Sequence, residues 1–170
     1  MDLKKFIYDI PNFPSEGILF RDITPLLNNG EAYKYAIDEM AKYAIKVGAT
    51  KIASPEARGF LFGTPLAYKL NLPFVPVRKP GKLPRETLNI KYELEYGTNE
   101  ISIHKDAINP GDKVLVVDDL LATGGTVNAA AKLVEQAGGT VVGMVFAIEL
   151  VDLNGKELLN KYEIESLIKF

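Results

Sequence analysis

The run from Lys113 to Thr126 constrains the fold of this chain more than any other feature. Residues 113–117 (KVLVV) predict a strand that is apolar almost throughout, which is typical of a strand covered on both faces. Two acids, Asp118 and Asp119, follow at once, and the glycine-rich loop LLATGGT then leads into a helix predicted over 126–137. A buried strand, a turn and a helix in succession are typical of α/β folds built on a parallel sheet.

The same alternation recurs along the chain. Apolar residues at helical spacing predict a helix over 31–47, and Gly48 is a typical helix end. Further elements are predicted in the order strand, helix, strand and strand, at 51–53, 59–70, 74–77 and 141–148. We therefore predict an α/β fold in one domain, residues 1–170, with a mainly parallel central sheet flanked by helices.

Residues 87–96 (TLNIKYELEY) depart from this scheme because apolar and polar side chains alternate strictly there. A period of two predicts a half-exposed strand. Glu95 falls on its polar face, the position expected of an ordinary solvated carboxylate. The alternation resumes over 101–103, after Gly97-Thr98-Asn99, where we predict the turn of a β-ribbon.

Composition narrows the classes of protein that fit. The chain has 170 residues, 47% of them hydrophobic and 25% charged, which is enough to bury a core without disulfides or metals. Cysteine is absent, so thiolate metal sites and thiol nucleophiles are excluded. A net charge of −2 gives no general attraction for nucleic acids or anionic membranes. With no apolar run of membrane-spanning length and no secretory signal at Met1–Lys5, we expect a cytoplasmic protein.

The loop after the 113–117 strand has the chemistry of a sugar-phosphate site. Gly124 and Gly125 allow main-chain N–H groups to approach an anion, and the following helix N-terminus favours negative charge. Thr123 and Thr126 add hydroxyl donors at the same place. Two carboxylates beside a phosphate site are unfavourable unless the ligand also carries hydroxyls, and carboxylates are suited to accept from vicinal diols.

Other interpretations of this loop agree less well with its residues. It lacks the Gly-Lys-Ser/Thr of a Walker A loop and the Gly-x-Gly-x-x-Gly of a dinucleotide site. A purely structural glycine-rich turn is the remaining alternative, but it leaves two acids at the end of a buried strand without a partner or function.

Two basic features suggest further anion sites. Arg58 lies between a predicted strand and helix, where it could hold a second anion or be an ordinary surface arginine. Arg78, Lys79, Lys82 and Arg85 form a local basic cluster broken by prolines. That cluster is either a solvated loop or a mobile loop that closes over a polyanion.

The segment 116–126 (VVDDLLATGGT) resembles the motif of type I phosphoribosyltransferases that binds 5-phosphoribosyl-1-pyrophosphate (PRPP), in the form found in adenine phosphoribosyltransferases. The resemblance extends over nearly the whole chain through segments 13–25, 56–63, 78–84 and 94–97. It implies the type I phosphoribosyltransferase fold, with residues 1–30 as a hood over the base and about 80–100 as a flexible catalytic loop.

The resemblance also implies roles for the residues of the PRPP site. The 5′-phosphate would be bound by Ala122, Thr123, Gly124, Gly125 and Thr126, and the ribose hydroxyls by Asp118 and Asp119. Pyrophosphate would be bound by Glu56, Ala57, Arg58, Arg78, Lys79 and Lys82, with a strained or cis peptide at Glu56-Ala57. Mg²⁺ would be held mainly by PRPP oxygens and water, with no direct protein ligand.

On the acceptor side, the resemblance implies adenine, with AMP and pyrophosphate as products of a homodimeric enzyme. Glu95 and Arg58 would be catalytic, and adenine would be contacted by Leu19, Phe20, Arg21 and Leu150. A phosphoribosyltransferase for another base, such as xanthine or hypoxanthine, remains an alternative, because main-chain recognition of a base leaves no mark on the sequence. A PRPP-sensing regulator of the same fold is a second alternative, although neither an added domain nor a basic patch beyond the candidate loop supports nucleic-acid binding.

Overall fold

A computed structural model describes residues 1–94 and 97–170, so Glu95 and Tyr96 lie outside the described part. Five of the described strands form a central sheet in the spatial order β4-β3-β7-β8-β9, and every pairing in it is parallel. These strands are β3 (Lys51–Pro55), β4 (Phe74–Val77), β7 (Lys113–Leu121), β8 (Thr140–Glu149) and β9 (Ile164–Lys169). The predicted parallel α/β architecture is confirmed.

Helices cover both faces of this sheet, as the apolar 113–117 strand predicts. On one face, Leu115 and Val117 of β7 join a core that is closed by α2 (Gly30–Lys46) and α3 (Phe60–Leu70). On the other face, Val114 and Val116 pack with α4 (Gly125–Gln136). The helices begin and end within one residue of the predicted bounds, because their amphipathic period is strong.

Two antiparallel ribbons project from this frame. One is formed by β1 (Tyr8–Pro11) and β2 (Leu19–Asp22), and the short helix α1 (Thr24–Leu27) follows it. The other is formed by β5 (Thr87–Leu94) and β6 (Gly97–His104), and we call it the β-ribbon. The chain ends with a 3-10 turn, the short helix α5 (Gly155–Leu158) and β9. Within the described part, no helix is long and apolar enough to cross a membrane.

Two predicted boundaries are wrong. β7 does not end before the aspartates but runs on to Leu121, since Asp118 and Leu120 pair with Phe146 and Ile148 of the long neighbour β8. Likewise, residues 97–99 are not a turn but the first residues of β6, because the ladder of the β-ribbon extends to the pair Leu94 and Gly97. In both cases strand pairing outweighs the local preference of polar and glycine residues.

Candidate active site

The segments singled out from the sequence meet at the carboxyl ends of β3 and β7. A cleft of about 290 Å³ lies there, lined by Pro55–Arg58 after β3, by Leu94 of the β-ribbon, and by residues 118–127. The carboxyl edge of a parallel sheet is where α/β proteins place their ligands. The candidate phosphate loop and the candidate pyrophosphate loop therefore open into one cavity.

The loop Ala122–Gly124 and the first turn of α4, residues 122–126, form what we call the phosphate cradle. Gly124 caps α4 with φ +86°, a conformation that favours glycine. A β-carbon there would also lie 3.0 Å from the Gly155 carbonyl oxygen. The first N–H groups of α4 have no partners within the helix and are available to an anion.

The turn at Gly155, which the sequence did not single out, packs against the phosphate cradle. At Gly155, a β-carbon would lie 2.4 Å from the Ala122 carbonyl oxygen and 2.9 Å from Leu121 Cδ1. Nearby, the main-chain N–H of Leu150 donates to the Leu121 carbonyl at 3.0 Å. The only signal in the sequence was a glycine in an unremarkable polar loop, so this contact could not be found without the fold.

Gly155→Ala is expected to raise the KM for PRPP about tenfold, because a new methyl group at position 155 must displace Ala122 and Leu121 and with them the cradle. Overpacking of this kind costs about 1–3 kcal/mol. The measurement is the initial rate against PRPP concentration, with Gly30→Ala as control, since a β-carbon at Gly30 meets open space. An unchanged KM for PRPP in Gly155→Ala would contradict the support we assign to this turn.

Asp118 and Asp119 occupy different environments although they are adjacent. Asp119 is buried, and its Oδ2 pairs with Arg58 Nε at 3.1 Å. Asp118 is half-buried and its Oδ1 accepts the Asp119 main-chain N–H at 2.9 Å. Desolvation, and next the Asp119 carboxylate, raise the pKa of the Asp118 carboxyl well above its usual range. The side chain of Arg58 thus balances the Asp119 carboxylate, while desolvation and that neighbouring carboxylate disfavour the ionised form of Asp118.

Tight packing holds the aspartates against the β3 loop. A β-carbon at Gly59 would lie 2.9 Å from Asp118 Oδ1 and 2.5 Å from the Pro55 carbonyl oxygen. Position 59 therefore requires glycine for the two loops to approach. The peptide bond Glu56-Ala57, just before it, is cis, as the resemblance predicts.

The raised pKa of Asp118 predicts that the difference in stability between the parent and Asp118→Asn depends on pH. A carboxyl with a raised pKa in the folded state stabilises the fold below its unfolded pKa, and that contribution is lost as pH rises through the folded pKa. The asparagine in Asp118→Asn cannot ionise and does not lose this contribution. As pH rises from 4 to 8, its melting temperature should therefore rise relative to that of the parent, by about 2–4 °C for each kcal/mol of unfolding free energy.

Asp112→Asn is the control for this experiment. The bond to Lys51 lowers the pKa of Asp112, so its carboxylate stabilises the fold above its unfolded pKa and loses that effect as pH falls. Asp112→Asn should therefore lose melting temperature relative to the parent as pH rises. If Asp118→Asn behaves in the same way as Asp112→Asn, the buried environment we describe for Asp118 is wrong.

The Glu56 carboxylate organises the end of the neighbouring strand β4. Its Oε1 accepts the Lys79 main-chain N–H at 2.7 Å and lies 3.3 Å from Arg78 Nε. Desolvation opposes ionisation of Glu56, but the Lys79 N–H and the Arg78 guanidinium outweigh it and lower the pKa. Glu56 therefore fixes Arg78 in place, and it lines the cleft together with the exposed residues Ala57 and Arg58.

The predicted basic cluster is not a single cluster in the structure. Arg78 is bound to Glu56, whereas Arg85 pairs with Asp106 at 2.5 Å on the loop after β6. Lys79 and Lys82 are exposed on the turn that leads from β4 to the β-ribbon. The cluster divides because Arg78 and Arg85 pair with acids on different segments, which their proximity in sequence does not show.

Among the residues expected near a base, Phe20 lies against the Arg58 side chain. The Phe20 ring is 5.5 Å from Arg58 Cζ and makes an edge contact with Phe13 at 5.1 Å. Leu19 is 48% exposed and Leu150 is half-buried. Arg21, by contrast, pairs with Asp9 and lies 4.1 Å over the C-terminal Phe170 ring, so its guanidinium is already engaged. Glu95 lies outside the described residues.

Comparison with known proteins agrees with this geometry. The family model described as "Phosphoribosyl transferase domain" matches residues 26–168. A curated relative from Pseudothermotoga lettingae, named adenine phosphoribosyltransferase, is 57% identical over all of both chains. The crystal structure of adenine phosphoribosyltransferase from Thermoanaerobacter pseudethanolicus superposes with a TM-score of 0.96 at 56% identity, covering 99% of this chain and 98% of that one. The Saccharomyces cerevisiae enzyme, complexed with an imino-altritol bisphosphate and adenine, gives 0.92 at 42% identity, covering 98% and 96%.

Proposed function

This chain belongs to the phosphoribosyltransferase family, and we propose that it transfers the 5-phosphoribosyl group from PRPP to adenine, giving AMP and pyrophosphate. It is thus a purine salvage enzyme and a glycosyltransferase. The observation that carries the proposal is the shared cleft, in which the phosphate cradle, the aspartate pair and Arg58 face one cavity. The agreement with adenine phosphoribosyltransferases along the full chain supports adenine as the acceptor.

The site suits PRPP through two kinds of group. Main-chain N–H groups and the threonine hydroxyls of the cradle suit the 5′-phosphate, because they donate without bringing a charged side chain. Asp118 and Asp119 suit the ribose hydroxyls as acceptors. Their negative charge beside the phosphate is tolerable because Arg58 pairs with Asp119 and desolvation raises the pKa of Asp118.

Pyrophosphate would lie along the cis loop Glu56-Ala57-Arg58, with Lys79 and Lys82 exposed on the turn after β4 and Arg78 held by Glu56. A Mg²⁺ ion would be held mainly by PRPP oxygens and water, because the buried Asp119 carboxylate is already paired with Arg58. When bound, Mg²⁺ would neutralise charge on the pyrophosphate group.

Positioning and electrostatics account for the catalysis we propose. Displacement at ribose C1 develops positive charge on the sugar and negative charge on pyrophosphate, so fixed donors and acceptors stabilise the transition state. Arg58 stabilises the leaving group, and Glu95 exchanges a proton with the purine ring. Phe20 stacks on adenine, a contact worth about 1–3 kcal/mol, while Leu150 fills space beside it. Leu19 and Arg21 read the base edge through their main chains.

Family membership also leads us to propose a homodimer that works in the cytoplasm. The helix α3 supports self-association, since Tyr68 is 90% exposed and Leu61 is 38% exposed on its surface. Sedimentation velocity of the purified enzyme measures the size of the particle in solution, which we expect to be that of a dimer.

The proposed function is tested by offering single bases with PRPP and Mg²⁺. Adenine, hypoxanthine, guanine, xanthine and orotate are supplied separately, and the nucleotide formed is measured by chromatography. We expect AMP from adenine and little product from the other bases. Another nucleotide in place of AMP would show that the acceptor is a different base. The absence of any nucleotide, with a PRPP-dependent gel shift of nucleic acid, would favour a regulator instead.

A further inference from the structure

One contact joins the β-ribbon to the phosphate cradle and has no part in the mechanism above. Tyr92 of β5 places its hydroxyl 3.0 Å from Thr126 Oγ1, the last residue of the cradle. The ring of Tyr92 lies beside Gly125, where a β-carbon would be 3.7 Å from Tyr92 Cδ2. Leu88 and Ile90, on the same face of β5, pack on the core that contains α4. The ribbon is therefore seated on the helix by apolar contacts and tied to the cradle by one hydrogen bond.

The direction of this hydrogen bond depends on what the cradle holds. Each hydroxyl carries one proton, so in the free enzyme either Tyr92 or Thr126 can be the donor. A phosphate oxygen only accepts, so a Thr126 hydroxyl that donates to phosphate must accept from Tyr92. The chain Tyr92 to Thr126 to phosphate then runs in one direction, and hydrogen bonds aligned in this way strengthen one another.

The far end of β5 reaches the place where the chemistry occurs. Leu94, two residues after Tyr92, lines the active-site cleft, and Glu95 follows it in the sequence. On its other side, Tyr92 lines a second cavity of about 140 Å³ with Glu56, Lys79 and Thr126. Tyr92 thus stands between the cradle, the candidate pyrophosphate residues and the strand that leads to the proposed acid/base.

We propose that Tyr92 is a positioning residue that couples occupation of the phosphate cradle to the placement of the β-ribbon. This inference rests on the proposed function, since it takes Thr126 as a phosphate donor. Phosphate fixes the Thr126 hydroxyl, Thr126 fixes the Tyr92 hydroxyl, and β5 is held with Leu94 at the cleft. Tyr92 itself does not touch the substrate.

Ribose 5-phosphate is the probe that isolates this coupling, because it fills the cradle and ribose site without a pyrophosphate group. Trypsin can cut the exposed approach to the β-ribbon after Lys82 and Arg85. With saturating ribose 5-phosphate, we expect cleavage there to slow about three- to tenfold in the parent enzyme. In Tyr92→Phe, which keeps the ring and removes the hydroxyl, this protection should be lost while the melting temperature stays close to the parent value.

Tyr162→Phe is a matched control, because the Tyr162 hydroxyl also bonds a residue of α4. The Tyr162 hydroxyl donates to Glu135 Oε1 at 2.7 Å, near the opposite end of α4, so it tests the loss of a hydroxyl bond to α4 away from the cradle. Tyr162→Phe should keep the full protection by ribose 5-phosphate. Loss of protection in both variants, or in neither, would overturn the role of Tyr92.

Kinetics provides a second, independent readout. Tyr92→Phe should raise the KM for PRPP about three- to tenfold, as expected for one hydrogen bond, and this effect should vanish in a Thr126→Ala background. An equal effect of Tyr92→Phe in both backgrounds would overturn the coupling.

If Tyr92→Phe does not fold, Thr126→Val removes the same bond from its other end and must abolish protection at saturating ribose 5-phosphate. The parent's production of AMP separates the two claims: without AMP the proposed function fails, and with AMP but an unaffected Tyr92→Phe only the coupling fails.

Discussion

Replacing Asp118 and Asp119 together by asparagine is expected to lower kcat/KM for PRPP by about 1000-fold. Hydrogen bonds to charged groups contribute about 1.5–3 kcal/mol each, and the double substitution removes both carboxyl groups that we propose accept from the ribose hydroxyls. It also leaves Arg58 without the Asp119 carboxylate that now lies 3.1 Å from its Nε. The measurement is the rate of AMP formation at PRPP concentrations well below KM, where the rate reports kcat/KM.

Asp152→Asn is the matched control for the aspartate pair. Asp152 is an exposed acid on the turn between β8 and α5, outside the residues that line the cleft. The same change of charge there should leave kcat/KM for PRPP within about twofold of the parent value. If the Asp118 and Asp119 double variant binds and turns over PRPP as the parent does, the assignment of the ribose site is wrong.

Glu95→Gln should lower kcat about 100- to 1000-fold, because a positioned acid/base contributes that order of magnitude. The KM for PRPP should change little, since the substitution leaves the cradle and the aspartate pair intact. Glu95 lies outside the described residues, so this expectation depends on the family motif and on Leu94, which borders the cleft. Steady-state rates at saturating adenine and PRPP give kcat directly.

Glu93→Gln separates a chemical role of Glu95 from the general effect of losing one negative charge nearby in the sequence. Glu93 is an exposed carboxylate of β5, two residues before Glu95 in the sequence. We expect near-parental kcat for Glu93→Gln, and equal losses in the two variants would show that Glu95 has no special part in proton transfer.

Much of the fold could be predicted because its signals are local. The apolar 113–117 run is buried on both faces, and the helical period over 31–47 matches α2. The β-ribbon followed from strict alternation over 87–96, and Leu88, Ile90 and Tyr92 from its apolar positions pack on the core near α4. The cleft could be placed for a similar reason, since the residues after β3 and β7 meet at one edge of a parallel sheet.

What the sequence did not reveal depends on contacts between distant segments. Gly155 supports Ala122 from 33 positions further along the chain, and Tyr92 reaches Thr126 across 34. The engagement of Arg21 with Asp9 and Phe170 is likewise set by tertiary packing. The extension of β7 through the aspartates required the long partner β8, and a local pattern cannot show the length of a neighbouring strand.

A crystal structure of the enzyme with AMP tests the whole proposed site at once. We predict the 5′-phosphate within hydrogen-bonding distance of the main-chain N–H groups and hydroxyls of residues 123–126. The ribose hydroxyls should lie on Asp118 and Asp119, and the adenine ring should stack against Phe20. A phosphate bound elsewhere, with the cradle free and the aspartates making no contact to the ribose, would contradict the account.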